Sequence, residues 1–390
     1  MLDEATLRSD TPGSDRVFLN SAGSSLPPRQ VLDATIEHLR RESEVGGYQA
    51  ADERADDLVG LREGIARLLN AAGPGTIALQ DSATRAWTQF FYAVPLNRGD
   101  QVLVAQAEYA SNAVAILQQA GRTGAAVRMV PSDPSGQLDV AALADMLDER
   151  VQLVSLVHVP TNGGLVNPVR EVVELAHRVG ALVLLDACQS VGQLDIDVGA
   201  LGVDALSATG RKWLRAPRGT GFLYVRPELV GELEPPVIDL HSASWTAPRQ
   251  YQLAADAQRF ELWESDVAAR LGLKAAVDYL LALGPAEVEA AVRGKADRLR
   301  AGLAELPGVT LTDLGERPCG IVTFTVDGLA APEVTSALSA RGISTSVSRA
   351  PSTLLDMSAR GLTQLVRASP HYFVSDAQLD ETVAEVAKLR

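Results

Sequence analysis

The chain is poor in the residues that build covalent or metal-held scaffolds, with two cysteines in 390 residues, no Cys-x-x-Cys pair and five histidines. That count excludes a disulfide framework and a zinc site of cysteine and histidine ligands. Positive charge is also in deficit: 35 basic side chains face 49 acidic ones, for a formal net charge of −14. An acidic surface repels phosphate backbones and anionic headgroups, so neither nucleic acid nor a membrane is expected as a partner. No apolar stretch approaches the roughly 18 residues of a membrane span. The best one, ALVLLDACQSVG, is broken by Asp186 and Gln189. The opening MLDEATLRSD is acidic and has no apolar centre, unlike a secretory signal, so a cytoplasmic location is expected. Repeats of solenoid period and low-complexity tracts are missing as well.

What is present is globular: 46% hydrophobic and 22% charged residues exclude extensive disorder. A chain of 390 residues suits two domains, since single cores stop growing near about 250–300 residues. Short apolar runs at 101–106, 125–130, 151–159, 181–187, 205–210 and 221–226 alternate with helical patterns such as Asn112–Ala120, Val140–Leu147 and Arg170–Val179. The runs VQLVSLVHV and ALVLLD are almost continuous in valine and leucine, as strands buried on both faces should be. The pattern predicts an α/β fold, a mostly parallel sheet covered by helices. After Pro235-Pro236 an aromatic connector leads to helices over 266–283 and 286–306, a strand at 320–326 and further helices at 332–342 and from Asp376. The expected division is a mobile arm over 1–15, a large domain over 16–238 whose segment 16–30 lies near the site, and a connector with a small α+β domain over 239–390.

Lysine is informative because there are only four. Lys274, Lys295 and Lys388 fall in amphipathic helical patterns, where a solvated face accounts for them. Lys212 instead follows a strand in SATGRKWLRAPRGTGFLYV, among Arg211, Arg215 and Arg218. An exposed loop lysine is the plain reading. Like charges around an amine also lower its pKa, which a Schiff-base nucleophile requires. Asp186, 26 residues earlier, ends the run ALVLLD at the carboxyl edge of a strand, where open α/β sheets bind ligands. Such an aspartate often caps a helix; paired with a downstream lysine it suggests pyridoxal phosphate, whose ring nitrogen an aspartate keeps protonated. IALQDSATRAWTQFF supplies a strand, a turn and a helix. Ser82 and Thr84 then stand at the helix N-terminus, either as an N-cap or as a phosphate site.

Several segments together carry a family resemblance: Asn-Ser-Ala-Gly at 20–23, Ser-Ala-Thr at 82–84, Glu-Tyr-Ala-Ser-Asn at 108–112 and Pro-Thr-Asn-Gly-Gly at 160–164. Asp-Ala-Cys-Gln at 186–189, Thr-Gly-Arg-Lys at 209–212, Arg-Phe-Glu at 259–261 and Val-Arg-Ala-Ser-Pro at 366–370 complete the set. Over almost the whole chain the sequence resembles class V aminotransferases and cysteine desulfurase-like enzymes of pyridoxal-phosphate fold type I. The resemblance implies that Lys212 bears the cofactor and that Asp186 contacts its ring nitrogen. Gln189 and Asn162 would reach the phenolic oxygen. Ser82, Ala83, Thr84, Thr209 and Arg211 would hold the phosphate, and Tyr109 would stack on the ring where relatives use histidine. Arg367 would clamp the substrate carboxylate, with Arg349 as the other candidate. Asn20 and Ala22 fall in the substrate-facing N-terminal loop. Cys188 stands where relatives carry a small alanine and is read as a compact buried residue. A homodimer is implied.

Two departures bear on the reaction. Desulfurases need a mobile nucleophilic cysteine in the loop before the last arginine, and STSVSRAPSTLLDMSARGLTQLVRAS has none. Cys319 is nearby but precedes an apolar strand and is expected to be buried. Leu-Trp-Glu-Ser at 262–265 replaces the Gly-Thr pair that in relatives reaches the partner subunit's phosphate, leaving Ser265 as a substitute. Within the family, SASWTAPRQYQLAADAQRFELWE and SVSRAPSTLLDM resemble the actinobacterial ergothioneine-pathway lyases that cleave hercynylcysteine sulfoxide. That resemblance implies an amino-acid sulfoxide substrate and a β-elimination, with Trp245 and Trp263 offering aromatic faces to its trimethylammonium group. An aminotransferase or an epimerase of the isopenicillin N type is the alternative.

Overall fold

The computed structural model describes residues 2–389. Seven strands form the central sheet, in the order Ile77–Gln80, Gly221–Val225, Ala205–Thr209, Leu182–Asp186, Val151–Val157, Gln101–Ala105 and Ala126–Val130. Only Gly221–Val225 runs against the others; it pairs antiparallel with both of its neighbours, and the remaining pairs are parallel. The sheet is therefore mostly parallel, as the valine- and leucine-rich runs predict, with one reversed strand. Six strands point their carboxyl ends at one edge, and the loops leaving that edge can converge. Four of the seven strands are buried at every position, Val151–Val157 and Leu182–Asp186 at all but one, and the edge strand Ala126–Val130 is buried only at Val130.

A second sheet of four antiparallel strands, Val309–Leu311, Val322–Val326, Gln364–Ala368 and Ser346–Arg349, is covered by the helices Ala331–Ser339, Pro285–Ala304 and Asp376–Ala387. The helix Val267–Leu283 belongs by contact to the other side of the molecule, packing along Arg29–Val45 and Ala55–Leu68. Gly272 permits that approach, since a Cβ there would lie 2.4 Å from Thr35 Oγ1. The connector that reads as turns in the sequence forms a hairpin, Ala243–Ala247 with Gln250–Leu253. It closes at Glu261, a fully buried carboxylate that accepts from Leu79 N at 2.8 Å and from Arg62, with His241 at 3.1 Å.

The N-terminal residues depart from the mobile arm expected. Glu4–Ser9 form a helix capped by Asp3, and Leu7, Thr11 and Ser14 are buried. Arg8 donates to Gln378 Oε1 at 2.8 Å, and Arg215, itself buried, donates to Thr11 Oγ1 at 2.6 Å. These contacts tie the segment to the C-terminal helix and to the loop that carries Lys212. Val17–Phe18 then pairs with Ile343–Ser344, which carries the chain to the carboxyl edge of the large sheet.

Candidate active site

Each loop at that edge delivers one or two polar side chains. Lys212 follows Ala205–Thr209, Asp186 ends Leu182–Asp186, Thr161 follows Val151–Val157, and Tyr109 follows Gln101–Ala105. These four, with Cys188, Gln189, Val157 and Val159, line one narrow cleft. Lys212 and Asp186, 26 positions apart in sequence, thus meet because adjacent parallel strands place their ends side by side.

Asp186 is buried and accepts only neutral donors, the Asn112 amide at 2.9 Å and Cys188 N at 2.9 Å. Among the described residues no cationic side chain pairs with it. Lys212 is buried too, and among the described residues no carboxylate pairs with its amine. Of the three arginines that crowd it in sequence, Arg215 is turned away to Leu26 O, Tyr372 and Thr11, and Arg218 is exposed. Arg211 reaches back to the Gly23 carbonyl. The Cys188 thiol is pushed up by burial, against the pull of the Lys212 amine beside it.

Arg367, whose partner Thr161 lines the cleft, is a second cation with no carboxylate partner among the described residues. It is buried, and its guanidinium donates to Thr161 Oγ1 at 2.7 Å and to Ser346 Oγ at 3.2 Å. Burial pulls its pKa down to about 10, Tyr109 opposes this and Arg211 adds to it, so it remains charged at neutral pH. A buried cation bonded only to hydroxyl and carbonyl oxygens is held ready for an anion. Arg349, by contrast, is exposed, and only its backbone carbonyl is engaged, by the Asn162 amide at 3.2 Å.

Ser82 caps the helix Ala83–Phe91 by accepting from Arg85 N at 3.2 Å. That N-terminus rests against the start of the reversed strand. A Cβ on Gly221 would lie 2.8 Å from Ser82 C and 3.1 Å from Ala83 N. The amides of Ala83 and Thr84 are left at the positive end of the helix, the local arrangement that binds phosphate. Thr209 is buried at the adjoining strand end. A carboxylate without a cation, an amine without a carboxylate, a free helix N-terminus and an unpaired arginine match, in turn, a pyridinium nitrogen, an aldehyde carbon, a phosphate and a substrate carboxylate. The residues present therefore fit pyridoxal phosphate.

The remaining candidates are spread more widely. Gln189 is buried, bonded to Ala22 O and Thr161 Oγ1 at 3.0 Å each, and accepts from Trp213 Nε1 at 3.0 Å. Ala22 is buried beneath this contact, and Asn20 bridges to Ser369 with its amide oxygen buried and unbonded. Asn162 is turned away from the cleft, its amide engaged by Thr353 Oγ1 and Met357 Sδ at 3.0 Å each. Trp245 is 81% exposed on the hairpin, and Trp263 stands edge-on to His241. Trp263 lines a separate cleft of about 410 Å³ with Tyr48 and His241, and Ser265 lies near Asp81 and Arg85 in another. Sequence reasoning assigned nothing to Glu108, Asn112 and Thr161, although all three lie within segments it singled out. Their adjacency to Tyr109 and Asn162 was the signal available.

The sequence model of the family described as aminotransferase class-V matches residues 17–381. A probable cysteine desulfurase 2 of Mycobacterium leprae is 33% identical, over 89% of this chain and 87% of its own. A probable cysteine desulfurase of Synechocystis sp. is 30% identical, over 87% and 84% respectively. The crystal structure of the cysteine desulfurase CsdA from Escherichia coli superposes with a TM-score of 0.92 at 23% identity, covering 100% of this chain and 98% of that one. A complex between the cystine C–S lyase C-DES and its product cysteine persulfide gives 0.86 at 26% identity, with 96% and 97% covered.

Proposed function

This chain belongs to the class-V aminotransferase family, and from that premise we propose that it is a pyridoxal-phosphate-dependent carbon–sulfur lyase. Its substrate in this reading is hercynylcysteine sulfoxide, cleaved by β-elimination in ergothioneine biosynthesis. The observation that carries the choice of a lyase concerns sulfur. The loop over 344–369 has no cysteine. Cys319 is 1% exposed, and burial pushes its thiol up to about 11. A sulfur-accepting thiolate of the desulfurase kind needs access and a low pKa, and this thiol has neither. A solved relative named as a cystine C–S lyase supports cleavage of this bond on the same fold.

Lys212, Asp186, Ser82, Ala83, Thr84, Thr209, Arg211 and Gln189 are the residues that would hold the cofactor, with Tyr109 against its ring. When bound, pyridoxal phosphate draws electrons away from the substrate Cα. Arg367 holds the substrate carboxylate and so fixes rotation about the bond from nitrogen to Cα. Lys212 takes the Cα proton on its Nζ. The Cβ–S bond then breaks with its electron pair on sulfur, which leaves as a sulfenate. Water completes the balance, and the products are a sulfenic acid, pyruvate and ammonia. Asn20 and Ala22, in the loop whose Ala22 carbonyl meets Gln189, would face the substrate, and Trp245 and Trp263 serve the trimethylammonium group only if a second copy brings them over the cleft. A homodimer therefore forms part of this reading.

The test is incubation with hercynylcysteine sulfoxide and a thiol reductant. Ergothioneine, pyruvate and ammonia in equal amounts are expected. Alanine with persulfide from cysteine would establish a desulfurase instead, and an amino-group acceptor requirement or an inverted Cα would establish the aminotransferase or epimerase.

A further inference from the structure

Behind Asp186 lies a second carboxylate for which the proposed mechanism has no use. Glu108 is 3% exposed and its carboxylate is fully engaged. Its Oε1 accepts from Tyr109 N at 2.7 Å and from the Asn112 amide at 3.0 Å, and its Oε2 faces Ser155 Oγ at 2.6 Å. The same Asn112 nitrogen donates its other hydrogen to Asp186 Oδ2 at 2.9 Å. One amide group thus bridges two buried carboxylates, and neither has a cationic partner among the described residues.

We infer that Glu108 is a positioning residue that, through Asn112, orients Asp186 and sets how strongly Asp186 holds a proton-bearing ring nitrogen. The inference rests on the reading of Asp186 as the residue that faces that nitrogen. Two negative charges joined by one amide in a buried place repel each other, which favours the protonated form of Glu108. Burial, with a smaller contribution from Asp186, raises Glu108 to about 7. Ser155 works the other way, since its hydroxyl donates to the ionised carboxylate and so favours that form. A cation arriving at Asp186 favours the ionised form of Glu108, and a second negative charge then stands behind the first.

The other groups in reach leave this assignment intact. From its own loop Glu108 meets Tyr109, from the strand Val151–Val157 the neutral Ser155, and from the strand Leu182–Asp186 only Asp186. Lys212 and Arg211 act on Cys188, and Arg211 on Arg367, while none of the three is among the groups that act on Glu108. The cofactor contact is thus backed by a titrating group that touches neither cofactor nor substrate.

The experiment compares wild type, Glu108→Gln, Ser155→Ala and Asp186→Asn, reading cofactor dissociation constant and visible spectrum from pH 5.5 to 8.5, apart from any turnover. Glutamine keeps the shape and mimics the protonated state. Its affinity should equal wild type below pH 6 and fall about tenfold behind above pH 8, the size of one screened charge pair at this range. Ser155→Ala removes a donor to the ionised form, so the wild-type transition should move to higher pH. A Glu108→Gln to wild-type ratio that stays flat across this range, or a Ser155→Ala transition that does not move, would overturn the relay. Asp186→Asn should lose affinity at every pH. If it binds cofactor as wild type does, the reading of Asp186 fails rather than the relay behind it.

Discussion

Lys212 and Arg367 are two cations buried without carboxylates, and single substitutions at them separate cofactor chemistry from substrate binding. Lys212→Ala should lose nearly all turnover and the visible absorbance of covalently held cofactor, and mass spectrometry after borohydride reduction should find no modified peptide around position 212. Arg367→Lys keeps the charge but loses the planar fork that bonds Thr161 and Ser346. Removing a desolvated charge-assisted contact costs about 2–5 kcal/mol, so kcat/KM should fall at least tenfold while the resting spectrum stays unchanged. Arg349→Ala, at an exposed position, should leave kcat/KM within about twofold. An Arg349→Ala loss as large as that of Arg367→Lys would move the carboxylate clamp to the small-domain loop.

The helix Ala83–Phe91 and the reversed strand Gly221–Val225 show how an element positions a site. Gly221 is needed for close approach rather than for an unusual φ: a Cβ there would lie 2.7 Å from Ala208 O and 2.8 Å from Ser82 C, both backbone atoms that cannot swing aside. Gly221→Ala should therefore push the helix N-terminus off the sheet, destabilise the fold by about 1–3 kcal/mol as overpacking does, and weaken retention of the cofactor phosphate. Urea unfolding and gel-filtration retention of cofactor read the two effects separately. The buried carboxylate of Glu108 adds a pH dependence at this scale. Its folded pKa, near 7, is above the ordinary carboxylate value. The protonated form thus favours the fold, and that contribution is lost as pH rises from about 4.5 through 7. The apoprotein Tm should accordingly fall over this window more in wild type than in Glu108→Gln.

The whole molecule exposes aromatic residues that a monomer has no reason to keep in water. Tyr48 is 82% exposed, Trp245 81%, and Tyr251 and Trp263 about half. They lie on the first helices and on the hairpin connector, away from the cleft at Lys212. Patches of this kind mark association surfaces, and a closed dimer is the commonest way to cover them. Sedimentation at micromolar concentration should give twice the 41.3 kDa chain mass, and Trp245→Glu should weaken association before it touches the resting cofactor spectrum. A fully active species of single-chain mass would remove the dimer from the proposal.

The sequence by itself determined the strands of the large sheet, because a strand buried on both faces must be mostly apolar, and QVLVA, VQLVSLV, LVLLD and GFLYV are, with their few polar residues at strand ends or bonded. It also determined the chemistry available: one lysine outside the helices, an aspartate at a strand end, and a serine-capped helix after a strand each carry a local signature. Partnership was decided by tertiary structure. Arg367 and Arg349 were both candidates for the carboxylate along the chain, and the sheet decides between them: Gln364–Ala368 is an inner strand and buries Arg367, whereas Ser346–Arg349 is an edge strand and leaves Arg349 exposed. The hairpin at 243–253 has too little alternation to declare itself, since most of its side chains face solvent on both sides. Glu108 and Asp186 are 78 residues apart, and their repulsion exists only because the strands before them, Gln101–Ala105 and Leu182–Asp186, flank Val151–Val157 in parallel and bring both carboxylates to Asn112. Local sequence specifies which groups exist and which face they take; the low dielectric and the distances that give those groups their chemistry arise when the strands assemble.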